Sequence, residues 1–276
     1  MQPHKRIAVS SWSVHRLLGT THPHDLATDA VGRCEETFGP ARIDLLELPA
    51  LVARHGIGRL EICSFHLPSR DPAYLAELKA TCASAGVVLQ TLLIEAGDLS
   101  DPATAERDRR WISGWVEAAT RLGAENARII AGKQKPTPEA LALSASGLKR
   151  IADDHAGSPV RLVTENWFAL LPSPKEVHHL LDATEGRIGL NGDFGNWTGP
   201  GKYEALAAIF GRASICHAKA SFSGGAMDAE DYESCLAAAE GAGYSGPYTL
   251  IFDNDAPDEW AGIAIEREFI TSRLAA

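Results

Sequence analysis

Three apolar runs in the second half of the chain each end in a group that can bind a hard metal ion or move a proton. They are Val163-Thr164-Glu165, Leu190-Asn191-Gly192-Asp193 and Ile215-Cys216-His217. Glu165 and Asp193 are 28 residues apart, and Asp193 and His217 are 24 apart. Each gap is about the length of one strand plus one helix. A parallel barrel repeats at that spacing and gathers its strand ends on one face. The pattern therefore predicts three ligands converging on one point.

The rest of the chain repeats the same alternation. β-Branched apolar runs at 7–11, 59–64, 87–94, 127–131, 160–165, 188–192, 214–217 and 248–252 read as strands. Helical patterns fall near 44–55, 71–85, 102–122, 137–155, 173–183, 202–210, 228–241 and 258–274. Asp101-Pro102 has the form of a cap followed by a first-turn proline, and Gly86, Gly123 and Gly243 follow helical patterns where a left-handed residue belongs. Eight such units without a break in composition predict a single α/β domain over 1–276, a (β/α)8 TIM barrel. The rival, an open doubly wound sheet, lacks a glycine fingerprint after the first strand. Segment 19–42, rich in Thr, His, Asp and Gly, reads as a long loop inserted after strand one. It is a lid or a surface excursion, and its His22-Pro23-His24 reads as solvated loop.

Charge and cysteine usage narrow the function. The formal net charge is −10, which disfavours nucleic acid, whose binders present basic faces. The five cysteines are odd in number, widely spaced and free of any CxxC pair. That usage predicts reduced thiols and a cytoplasmic setting. The apolar run after Met1–Arg6 is too short for a signal peptide, and no stretch has the length to span a membrane. A homo-oligomer is compatible with the pattern.

Strand parity sharpens the site. With Glu165 facing the barrel interior, Val163 shares its face while Leu162 and Thr164 meet the helices. Asp193 and Asn191 form a second inward pair, and His217 and Lys219 a third. Burying a carboxylate without a partner is strongly unfavourable. Glu, Asp and His together suit a divalent metal, Mn²⁺, Mg²⁺, Co²⁺ or Zn²⁺. Cys216 points away, which argues against a structural zinc site. Trp12, Trp167 and Trp197 fall just past strand ends, where indole faces suit a sugar or one or two of them simply close the barrel top. His66 reads either as a contact to a sugar hydroxyl or phosphate or as a loop histidine with no ligand role. Arg128 is placed to pair with an acid such as Glu165. Glu61 reads as an inward hydrogen-bonding group, Glu95 and Asp98 as turn or cap residues, and Trp111 and Trp115 as packing.

Several motifs together resemble the xylose-isomerase-like barrels. They are Ser11-Trp12-Ser13, Arg59-Leu60-Glu61-Ile62, Thr164-Glu165-Asn166, Asp193-Phe194-Gly195-Asn196, His217-Ala218-Lys219 and Gly243-Tyr244-Ser245-Gly246-Pro247. That superfamily contains sugar and sugar-phosphate isomerases and epimerases and, more distantly, apurinic endonucleases. The resemblance implies metal ligation by Glu165, Asp193 and His217. It also implies a fourth ligand, a glutamate on strand eight, and here the chain departs: Ile251 stands at that position. Asp253 has the same parity but lies roughly 6–7 Å further along an ideal strand, so it can complete the site only if the strand bends, the metal sits higher or a water bridges.

In family isomerases the two glutamates pass a proton beside a carbonyl that the metal polarises. The resemblance therefore implies an isomerase or epimerase of a small sugar or sugar phosphate, with Glu165 as base and Lys219, Asp253 or water as partner. The loss of the glutamate at Ile251 keeps open an altered or non-catalytic barrel that binds a polyol or metabolite. A nuclease is the weaker alternative, since only His66 and His217 fall at strand ends.

Overall fold

The computed structural model describes residues 4–254 and 258–274. The outermost ends of the expected 1–276 span, including part of the stretch read above for a leader, lie outside the described residues.

Eight parallel strands close into a barrel in chain order: β1 (His4–Ser10), β2 (Ile57–Cys63), β3 (Val88–Ile94), β4 (Asn126–Ile129), β5 (Arg161–Glu165), β6 (Gly189–Asp193), β7 (Ala213–Ala218) and β8 (Tyr248–Leu250). The helices of the outer layer are α1 (Leu48–Arg54), α2 (Pro72–Ala85), α3 (Ala105–Leu122), α4 (Pro138–Asp154), α5 (Pro174–Ala183), α6 (Lys202–Phe210), α7 (Ala229–Gly241) and α8 (Glu259–Leu274). All correspond to the elements read from the sequence, with ends displaced by a turn or less.

The α3 helix shows why these segments fold as they do. Glu106 and Asp108 sit in its first turn, where the helix dipole favours negative charge. Trp111, Ile112, Trp115, Val116, Ala119 and Leu122 are buried along one face. Gly123, at φ +74°, closes the helix in the left-handed conformation. The main apolar core lies between this helical layer and the outward residues of the strands, Leu162, Leu190 and Cys216 among them. Val163, Ile215 and Ile251 are buried but stand outside that cluster, as the inward parity of the strands requires.

Segment 19–42 is packed down against the barrel mouth. It carries a two-stranded ribbon, His24–Asp25 against Ala30–Val31. His22 donates its backbone N–H to Phe65 at 2.7 Å, and Phe38 donates to Gly19 at 2.8 Å. Gly19 has φ +68°, and a Cβ there would sit 2.5 Å from the carbonyl oxygen of Gly39, so the two arms of the segment can approach only at glycine. Phe38 lies edge-on to Trp12, with ring centroids 5.7 Å apart, and so supports one wall of the mouth. His24 departs from the solvated reading: its ring packs on Trp111 and Trp115, and its Nε2 is 2.9 Å from Ser64 Oγ.

All five cysteines are free, with Cys34 exposed and the other four buried. Among the described residues no helix is long and apolar enough to cross a membrane.

Candidate active site

The ends of β5, β6 and β7 bring Glu165, Asp193 and His217 together. One ligand atom from each lies within 4.8 Å of the others, and all three residues are buried. His217 Nδ1 stands 3.6 Å from Glu165 Oε2 and 3.6 Å from Asp193 Oδ2. Ligand atoms bound to one ion at about 2.1 Å and tetrahedral angles stand about 3.4 Å apart. The two distances from His217 are close to that value, and the donor set, two carboxylates and an imidazole, suits a single divalent cation.

The local sequence builds this arrangement. The Asn166 amide clips β5 to β6, accepting the Asp193 N–H at 2.7 Å and donating to the Asp193 carbonyl at 3.1 Å. Phe194 is fully buried and anchors the chain outward. The backbone then turns back, and the N–H groups of Gly195 and Asn196 donate to Asp193 Oδ1 at 2.6 and 2.7 Å. That leaves Oδ2 facing His217. The Asn196 side chain donates to Glu165 Oε1 at 2.7 Å, and Asn191 donates to Oε2 at 3.1 Å.

Electrostatics hold the cluster in tension. Burial pushes the Glu165 carboxyl up, and the charges of Asp193 and Glu95 add to this. His217 and Arg128 pull the other way without cancelling the rise. For His217, burial alone would disfavour the imidazolium. The charges of Glu165 and Glu61 and hydrogen bonds to Asp193 and Glu61 outweigh it and push the group up to about 10. A divalent ion would displace the imidazolium proton, because a ligating histidine must be neutral on the coordinating nitrogen.

A cavity of about 390 Å³ opens over the cluster. Its lining includes Trp12, Trp167, Lys219, Ile251, Asp253, Glu95 and Arg128. Ile251 faces it, as parity predicted for the strand-eight position. Asp253 reaches the rim but stands apart from the three-residue cluster, and its Oδ2 pairs with Lys219 Nζ at 2.6 Å. The Lys219 stem lies across Gly195, where a Cβ would meet its Cδ at 2.7 Å. Any larger residue at 195 would push the ammonium away.

His66 and Trp197, read as substrate contacts, do not line this cavity. His66 is buried with Nδ1 2.8 Å from Ser11 Oγ, and it lines a separate cavity of about 550 Å³ beneath segment 19–42. Trp197 donates its indole N–H to Leu171 at 3.1 Å and lines a neighbouring cleft. In both cases the loop turns away after the strand end.

Conversely, two residues read as minor hold central places. Arg128, 2% exposed, reaches Glu165 through Nε at 3.2 Å and Glu95 through Nη2 at 2.5 Å, and its guanidinium lies 5.1 Å from the Trp167 ring centroid. Glu95 is thus a member of the cavity wall. The inward parity of Arg128 pointed to the first pairing. Nothing in the sequence signalled the second.

The xylose isomerase-like TIM barrel family profile matches residues 49–272. No curated protein sequence matches significantly. Among solved structures, an L-ribulose 3-epimerase superposes with a TM-score of 0.72 at 18% identity, over 100% of this chain and 95% of that one. A D-allulose 3-epimerase from Methylomonas sp. gives 0.70 at 18% identity, covering 99% and 100%. A xylose isomerase-like TIM barrel protein from Mycobacterium smegmatis, solved in complex with magnesium, gives 0.69 at 16% identity, covering 99% and 98%. With the profile spanning most of the chain and the barrel closed as expected, the protein belongs to the xylose isomerase-like TIM barrel family.

Proposed function

We propose that this protein is a divalent-metal-dependent isomerase or epimerase that moves a proton beside the carbonyl of a small sugar or sugar phosphate. The observation that carries this reading is the convergence of Glu165, Asp193 and His217 within 4.8 Å at the mouth of the barrel. Relatives of the same fold that act as ketose 3-epimerases support it.

Mn²⁺, Mg²⁺, Co²⁺ or Zn²⁺ held by these three residues would polarise the carbonyl and stabilise negative charge on its oxygen. Glu165, whose carboxyl is raised by burial, is the base. Lys219 is the partner that returns or stabilises the proton. Asp253, 2.6 Å away, holds its ammonium over the cavity. Asp253 serves in this way rather than as a direct metal ligand. Trp12 and Trp167 present apolar faces to the C–H side of the sugar, a role not extended to His66 or Trp197.

The experiment is incubation with D-allulose, L-ribulose and related ketoses in D₂O, reading deuterium at carbon. Exchange that disappears on chelation and in Glu165→Gln supports the proposal; exchange that survives complete chelation refutes it. Ile251 motivates one other reading, a barrel that binds a polyol without turnover. A ligand found by calorimetry that shows no exchange at any carbon would favour it.

A further inference from the structure

One layer below the metal-facing atoms, Glu61 on β2 is fully buried and contacts neither the cavity nor solvent. Its Oε2 accepts a hydrogen bond from His217 Nε2 at 2.9 Å. Its Oε1 accepts two more, from Gln90 Nε2 at 2.8 Å and Thr91 Oγ1 at 2.7 Å. Gln90 and Thr91 are consecutive and would face opposite sides of a regular strand. Between Leu60 opposite Leu89 and Glu61 opposite Thr91 the register slips by one residue, and the bulge turns both side chains inward. Gln90 is itself fixed, donating to Thr249 Oγ1 at 2.9 Å and accepting from Arg59 Nε at 2.7 Å.

We propose that Glu61 is the positioning residue of the metal site, fixing His217 with its proton on Nε2 and its Nδ1 lone pair toward the cation. A neutral imidazole carries one N–H and one lone pair. An ionised carboxylate only accepts, so the nitrogen facing Glu61 keeps the proton. The nitrogen left to ligate is the one 3.6 Å from both Glu165 and Asp193. The strand-three bulge makes this specific to a carboxylate. Three donors converge on two oxygens, and an amide supplies only one acceptor oxygen. With the amide nitrogen turned to His217, the ring must accept there and carry its proton on Nδ1, which removes the ligand. With it turned to β3, Gln90 and Thr91 lose their acceptor, and the group loses its alignment. This role rests on the metal reading above.

The test is titration of the metal-stripped protein with Mn²⁺ by calorimetry for wild type, Glu61→Gln and Thr91→Val, with folding checked by circular dichroism. Histidine side-chain ¹⁵N–¹H spectra of the Zn²⁺-loaded forms are recorded alongside. Glu61→Gln is expected to bind Mn²⁺ about 10- to 100-fold more weakly and to lose the protected Nε2–H signal of His217. Thr91→Val should weaken binding in the same direction by less. A merely structural role would lower the melting temperature and leave the tautomer intact. Wild-type binding with Glu61→Gln within twofold of it would overturn the role of Glu61 alone. A wild type that takes up no divalent metal would overturn the metal reading and this role together. If Glu61→Gln does not fold, unchanged Mn²⁺ affinity in Thr91→Val with an unprotected His217 Nε2–H in the wild type overturns the proposal, and weakened affinity with a protected proton upholds it.

Discussion

His217 and His66 sit at the same end of one barrel, 5% and 4% exposed, yet their imidazoles are shifted in opposite directions. At the ends of β5–β7, His217 faces Glu61, Glu165 and Asp193 and is pushed up to about 10. At the end of β2, His66 Nδ1 stands 2.8 Å from the Ser11 hydroxyl, and no carboxylate raises the His66 group. Burial first, then His15 and His22, pull it down to about 3. Burial is nearly equal, so the neighbours decide. A buried histidine among carboxylates is a cation or a metal ligand, whereas one among neutral and cationic groups is a packed wall element. The comparison separates the chemistry of the mouth from its scaffold.

The largest expected effect lies on the mouth side. Glu165→Gln keeps the volume and, on the proposed mechanism, removes both a ligand charge and the base. Carbon-bound deuterium exchange should fall by about 10²- to 10⁴-fold. Exchange within tenfold of wild type would mean that the base lies elsewhere, with Glu95 the next acid on the cavity wall. Lys219→Met should come second. It keeps the stem over Gly195 and deletes the ammonium, so turnover should drop about 10²-fold while Mn²⁺ affinity stays within about twofold. Tighter Mn²⁺ binding in the variant would instead mean that the Asp253 carboxylate, freed from its ammonium partner, joins the ligand set.

The scaffold side predicts a pH effect. The His66 imidazole is held well below its ordinary value of 6.5, so between about pH 6.5 and pH 3 the unfolded chain binds a proton that the folded chain does not. Its contribution to stability is complete above pH 6.5 and is lost as pH falls toward 3. At pH 5 this amounts to about 2 kcal/mol relative to neutral pH. Chemical denaturation at pH 7 and pH 5 should show that loss in wild type and a shallower one in His66→Gln, with metal binding unaffected. Equal slopes would mean that His66 is not buried neutral.

This contrast also marks what the sequence could convey. Alternation and spacing were sufficient for the barrel, because an inward acid on a strand end has few places to go, and Glu165, Asp193 and His217 followed from parity and family likeness. Glu61 and Glu95 were harder to read. The link from Glu61 to His217 depends on the slip between Leu60 and Glu61 against β3, and a bulge leaves no mark in a pattern of period two. Glu95 takes its place only because Arg128, one strand away, reaches both it and Glu165. His66 and Trp197 line other cavities than the one over the cluster. Each follows a strand end in sequence, but a 3-10 turn at Ser64–His66 and the turn after Asp193 carry them out of the mouth.

The smallest effect tests that last distinction. Trp167 stacks over Arg128 inside the cavity, while Trp197 is tied to Leu171 in the next cleft. Trp197→Phe deletes one partly buried hydrogen bond and should cost about 1 kcal/mol of stability with KM for any ketose substrate changed by less than about twofold. Trp167→Ala should raise KM for the same substrate several-fold, because it removes an aromatic surface worth about 1 kcal/mol or more against an apolar face. If the two variants exchange these behaviours, the sugar lies across the β6 loop rather than under β5. The cleft lined by Phe168, Trp197 and Lys202 would then be part of the substrate site.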